Sequence, residues 1–197
     1  ELKGWGDDLS KIKAPLGVYS VLGNHDYGEY TSWKSNEEKN RNFKNLLKAQ
    51  KEFGWNLLLN ENDTISVDGN KIKVIGVENW ASSRFQQYGD LDKAYNGLNN
   101  EDFKILMTHN PSHWNAKVTD AYNDIDLTLS GHTHGLQYGI DIGDFRLSPV
   151  RLAYKQWADL YELNKQYIYV NRGFGFMGYP GRVGILPEIT ILELKKS

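Results

Sequence analysis

Residues 125–134 read Ile-Asp-Leu-Thr-Leu-Ser-Gly-His-Thr-His. Apolar and polar residues alternate through Ser130 as they do in a half-buried β-strand, and the run then empties into a glycine and two imidazoles spaced two apart. Two other stretches repeat this plan. Leu16-Gly-Val-Tyr-Ser-Val-Leu22 is a β-favouring run after Pro15 that ends at Gly23-Asn24-His25-Asp26, and Lys104-Ile-Leu-Met107 ends at Thr108-His109-Asn110-Pro111. Three strands therefore deliver polar clusters at their carboxyl ends, where open α/β sheets bind ligands.

The segments between them fill out a mixed α/β chain. Ser35 followed by Glu38 makes a capping box, and Phe43, Leu46, Leu47, Gln50 and Phe53 recur at helical spacing until Gly54, which predicts an amphipathic helix over 36–53. Strands are expected at Trp55–Leu59 and Thr64–Val67 around an Asn60–Asp63 turn, and Asp68-Gly69-Asn70 predicts a hairpin into Ile72 and Val74. A weak helix is expected near Leu91–Leu98 and another around Asn115–Tyr122. The tail offers two more strands, Gln166–Asn171 and Glu188–Leu194, while the aromatic-rich 154–161 segment reads as a buried helix or an interface.

Composition narrows the chemistry. The 197 residues fit one domain able to bury a core, and 40% hydrophobic with 24% charged residues excludes disordered and collagenous chains. A net charge of -2 gives no electrostatic pull toward nucleic acid. The absence of cysteine removes disulfides, thiolate zinc sites and cysteine nucleophiles together, leaving His, Asp, Glu and Asn for any metal. No apolar run approaches a spanning helix, so the chain reads as soluble. It opens at Glu1 rather than Met, which suggests a processed product or an excised piece.

Four of the five histidines, His25, His109, His132 and His134, fall in the three strand-end loops. Imidazole is the commonest transition-metal ligand, so the concentration reads as a metal site. In an extended segment His132 and His134 point the same way, whereas at a strand end they can diverge toward two ions; a pair of solvated turn histidines is the alternative. Asn24 can offer its amide oxygen to a cation, and Asp26 can accept from one ring nitrogen of His25, leaving the other for general acid work. An ordinary polar turn is the competing reading of that tetrapeptide. His113 reads as structural or surface, Arg151, Arg172 and Arg182 as solvated or paired, and the six tryptophans as core or rim.

Gly23-Asn24-His25-Asp26, then a strand-end His109, then Gly131-His132-Thr133-His134, in that order, resembles the calcineurin-like metallophosphoesterases. Ala14–Leu22, Gly135-Leu136-Gln137, Asn171–Gly175 and Pro187–Thr190 are similar to the bacterial, often membrane-tethered subgroup. The resemblance implies a sandwich of two mixed β-sheets flanked by helices, and a hydrolase of phosphomonoesters or phosphodiesters with two divalent ions (Mn, Fe or Zn) that activate water. By resemblance Asn24, His109 and His132 bind one ion and His134 the other, His25 and Asp26 serve the leaving group, and Asn24 and His25 contact the substrate. The substrate expected is a small-molecule or lipid phosphoester.

The family's cluster also requires an Asp-x-His and a Gly-Asp motif upstream of Asn24, and neither is present. Gly6-Asp7 matches two letters but reads as a helix start or surface pair. The expectation is therefore a single domain over 1–197 that represents the carboxyl-terminal two thirds of a phosphoesterase. One ion would keep His134 alone, so metal would be partial or absent and this piece inactive. It would be tethered to a membrane only through its parent, and prone to self-association through exposed strand edges. A metal-poor binding or assembly domain of the same fold is the alternative.

Overall fold

A computed structural model describes residues 4–81, 86–99, 101–143 and 145–195. The protein is a mixed α/β chain that divides into two compact units, Glu1–His109 and Asn110–Ser197.

In the first unit a short helix α1 (Gly6–Leu9) carries Asp7 and Asp8 in its first turn, where carboxylates complement the helix dipole. The strand expected over 16–22 is pared down to β1 (Tyr19–Ser20), because only these residues find a parallel partner, β2 (Asn56–Leu57). Helix α2 (Asn36–Glu52) begins where the capping pattern predicts. The Ser35 hydroxyl accepts from Glu38 N at 3.3 Å, Glu38 reaches back to Lys34 N at 3.0 Å, and Gly54 follows at φ +76°.

Strand β3 (Glu61–Val67) starts earlier than expected. The Asn60–Asp63 turn contracts to Asn60 alone, at φ +59°, because residues 61–63 pair antiparallel with β4 (Asn70–Gly76). Asp68 and Gly69 take φ +50° and +78° as the two-residue hairpin turn requires. Helix α3 (Leu91–Tyr95), capped by Asp90 on Lys93 N, crosses over to β5 (Phe103–Met107), which lies parallel to β4. Leu22, Ile75, Val77, Leu91, Ala94 and Leu106 are buried within this unit.

The second unit opens with a wide π-turn at Trp114–Val118 that continues into α4 (Thr119–Ala121), where an ordinary helix was expected. Strand β6 (Leu127–Ser130) lies parallel to β10 (Gln166–Val170), which pairs antiparallel with β9 (Asp159–Leu163). The 154–161 segment is therefore not a helix. Trp157 and Ala158 enter a small core with Val150 and Ile185, and the chain becomes β9 because Asn164 and Lys165, both left-handed, fold it back onto β10. A hairpin of β7 (Ile140–Ile142) and β8 (Phe145–Leu147) completes the pairing.

Residues 188–194 form no strand among the described residues, contrary to their alternating pattern. Ile189 and Ile191 are 86% and 93% exposed, and the segment is tied back by Glu188 N, which donates to Gly173 O at 3.0 Å, rather than by a strand ladder. Among the described residues no helix is long and apolar enough to cross a membrane.

Candidate functional site

The first unit builds its polar cluster on the turn after β1. Asp26 N donates to Gly23 O at 3.2 Å and the Asp26 carboxylate accepts from Gly23 N at 2.7 Å, so Asp26 closes the turn on itself. His25 is exposed at the apex, its ring stacked on Tyr30 with centroids 4.4 Å apart. Asn24 is held at both ends of its amide: Nδ2 donates to Tyr30 Oη at 2.9 Å, and Oδ1 lies 2.9 Å from His109 Nε2. An amide oxygen only accepts, so the proton of that bond sits on His109 Nε2.

His109 can come this close because Gly23 has no side chain. A Cβ there would lie 2.7–2.8 Å from three atoms of the imidazole ring. Beneath the loop Tyr27 stacks on Tyr88 at 3.9 Å and donates to Glu78, whose other oxygen accepts from Asn60 at 2.7 Å. Burial raises the Tyr27 phenol far above its usual range, with the nearby carboxylates of Glu78 and Asp26 adding to the shift, so it stays a donor.

In the second unit the loop after β6 is left-handed for most of its length. His132, His134, Leu136 and Gln137 take φ values of +69°, +50°, +53° and +58°. Such backbone costs a non-glycine residue about 1–2 kcal/mol and persists only where surrounding contacts impose it. Those contacts are visible. Thr133 Oγ1 donates to Trp157 O at 2.7 Å, Ser148 Oγ to Gly135 O at 2.8 Å, and Val183 N to Gln137 O at 2.7 Å. Gly135, at φ +57°, is packed so tightly that a Cβ would sit 2.8 Å from Ile185 Cγ2.

His132 Nε2 is 2.7 Å from Tyr154 Oη, and His134 Nδ1 is 3.5 Å from an Arg182 nitrogen. Arg172 is paired with Glu188 at 2.6 Å and with Asp141. Burial alone would lift the Glu188 carboxyl, but hydrogen bonds from Thr190, Tyr169 and Arg172 prevail and hold it at about 2. His113 is fully buried, and that burial, with Lys117 nearby, lowers its imidazole to about 3, consistent with a structural residue.

The structure thus joins Asn24 with His109 inside one unit and places His132 and His134 on one loop of the other. Tyr30 and Tyr154 are supporting residues that the motif spacing did not single out, whereas Gly23 opens one of the motifs and Gln137 lies in a stretch that carried only the family resemblance.

The chain belongs to the calcineurin-like phosphoesterase family, whose model matches residues 3–136. It is 32% identical over 191 residues to the uncharacterized metallophosphoesterase YkuE of Bacillus subtilis, covering 96% of this chain and 60% of that protein. It is 31% identical over 196 residues to a protein of Bos taurus named as a transmembrane protein with metallophosphoesterase domain, covering 96% of this chain and 41% of that one. Among solved structures, the Haemophilus influenzae NAD nucleotidase NadN aligns with TM-score 0.46 and 22% identity over 79% of this chain and 33% of that chain. The chain thus spans between two fifths and three fifths of the length of these two relatives.

The family generally uses divalent metal ions. The described residues do not by themselves fit such a centre: no group of three His, Asp or Glu side chains converges among them. In the first unit the two donor atoms of Asn24 and His109 are spent on each other, and a cation would have to displace the Nε2 proton to use both.

Proposed function

We propose that this chain carries part of the catalytic centre of a metal-dependent hydrolase of phosphomonoesters or phosphodiesters. The observation that supports it best is the Asn24–His109 contact: an amide oxygen and an imidazole nitrogen 2.9 Å apart, reached through a glycine that leaves room for nothing else. In this reading Asn24, His109 and His132 are ligands of one divalent ion and His134 of another, with Mn, Fe or Zn suited to such donors. The carboxylates that complete the set are not among these residues.

His25 acts on the leaving group. Water forms the new bond to phosphorus as the bond to the departing oxygen breaks; that oxygen takes a proton from the exposed His25 ring, and the proton given up by the attacking water passes to solvent, from which the ring is reprotonated. Asn24 and His25 orient the phosphoryl group, and Asp26 fixes the turn that presents them. Tethering to a membrane and self-association are further parts of this proposal, the first motivated by the name of the Bos taurus relative and the second by the exposed Ile189 and Ile191.

The test is to incubate the chain with Mn or Zn, remove the excess, and measure both metal per chain and turnover of p-nitrophenyl phosphate and bis(p-nitrophenyl) phosphate. The same measurements are made on a chain extended by a segment carrying the Asp-x-His and Gly-Asp motifs. Turnover that depends on the added motifs and is lost in Asn24→Ala and His109→Ala supports the reading. Two bound ions without turnover in the extended chain would refute catalysis and leave a binding domain of the same fold.

A further inference from the structure

Residues 173–181 read Gly-Phe-Gly-Phe-Met-Gly-Tyr-Pro-Gly, nine positions without a charge. Phe174 and Phe176 are 75% and 64% exposed, and Met177 and Tyr179 are also exposed. Exposure of this kind on a loose loop would mean little. This loop is held from beneath. Gln137, fully buried, donates through Nε2 to Tyr179 O at 2.9 Å and also to Gly181 O, while its Oε1 accepts from Met177 N. Arg182 Nη2 donates to Gly175 O at 2.7 Å, and Glu188 N to Gly173 O at 3.0 Å. Tyr179 Oη also donates to Gln137 O at 3.3 Å, and the side chains of Phe174 and Phe176 are left outside.

The same anchors tie the loop to the His132–Gln137 turn. Gln137 belongs to that turn, and Arg182 reaches both Gly175 O and His134 O, the latter at 3.4 Å. A side chain at Gly175 would first meet His134, with its Cβ 3.8 Å from Cε1. Gly175 therefore lies against the imidazole edge, and the two exposed phenylalanines flank it in sequence. Exposed apolar side chains on an anchored loop beside a polar site mark a place where a ligand's apolar part can be buried.

We infer that the Gly173–Gly181 loop is an apolar subsite beside His134, so that the phosphoester taken by this protein carries a bulky apolar group, aliphatic or aromatic. This rests on the reading of His134 as part of a phosphoester site and adds the substrate class to it. The second copy and the lipid surface that could also cover such a loop enter as outcomes of the test.

The experiment compares binding of octyl phosphate, phenyl phosphate and inorganic phosphate by calorimetry, for the natural chain and for the double variant Phe174→Ser/Phe176→Ser. Both side chains are largely exposed, so the variant should unfold at the same temperature, which circular dichroism verifies. Expected is a preference of about tenfold or more for an apolar ester over inorganic phosphate, reduced to near equality in the variant with inorganic phosphate binding unchanged. A preference for octyl phosphate alone assigns an aliphatic group and for phenyl phosphate alone an aromatic one. Equal binding of all three, no binding of any, or a preference that survives in the variant overturns the proposal. So does loss of dimerisation or of phosphatidylcholine vesicle binding in the variant without any ester preference in the natural chain. An ester preference that depends on both phenylalanines, with no hydrolysis by the metal-loaded chain extended with the Asp-x-His and Gly-Asp motifs, upholds the subsite and refutes catalysis.

Discussion

Replacing Gly23 with alanine tests the packing that brings Asn24 and His109 together. The added methyl carbon would lie 2.7 Å from His109 Cε1 and 2.8 Å from Nδ1 and Nε2. Ordinary contact needs about 3.5–4.0 Å, so ring or turn must yield by close to an ångström. The ring cannot swing without breaking its 2.9 Å bond to Asn24, and the turn cannot shift without loosening the 2.7 Å bond from Gly23 N to Asp26. Overpacking of this kind costs about 1–3 kcal/mol, and the lost hydrogen bond about 0.5–1.5 more. A destabilisation of about 2–4 kcal/mol is expected in urea unfolding, together with loss of the His109 Nε2–H signal in nitrogen-edited NMR of the ring. Gly6→Ala is the control, because its new methyl group meets only Phe53 Cε1, at 4.0 Å. A Gly23→Ala protein within 0.5 kcal/mol of the natural one, with the His109 ring signals unmoved, would refute the reasoning.

Three further expectations follow from the same structure. Glu188 is held at about 2 in the fold against 4.5 outside it, so it adds stability above pH 4.5 that is lost as pH falls toward 2. Glu188→Gln should cost about 2–3 kcal/mol at pH 7 and flatten that acid limb in unfolding curves run at a series of pH values. Burial holds His113 at about 3 against 6.5, so the unfolded chain gains a proton that the folded one refuses, and stability should fall as pH drops from 6.5 toward 3. His113→Gln should remove that slope, and an unchanged slope counts against burial as its cause. Ser35→Ala removes the hydroxyl that accepts from Glu38 N and should cost about 1 kcal/mol by thermal unfolding, with α2 otherwise intact by circular dichroism.

Local rules were enough for α2, for the Asp68-Gly69 hairpin and for the strands leading to His109 and His132. Capping, helical spacing and a left-handed turn pair all act within a few residues, so their signals are complete in the sequence. They failed where pairing decides. Residues 188–194 alternate like a strand yet form none among the described residues, and 154–161 look helical in composition yet lead into β9. The Asn164-Lys165 turn that makes this possible lacks the glycine that would have announced it.

The sequence by itself determined that histidines, an asparagine and an aspartate stand at the ends of three strands, and the order of those motifs carried the family resemblance. It did so because ligand chemistry depends on residue type and strand-end placement on short-range pattern. Only the tertiary structure decided that His109 gives its Nε2 proton to Asn24, that Gly23 makes room for it, and that Asp26 closes the turn. It likewise decided that Gln137 and Arg182 pin an aromatic loop against His134. These contacts join residues as many as 85 positions apart, and no periodicity encodes which distant groups a folded backbone will bring to within 3 Å.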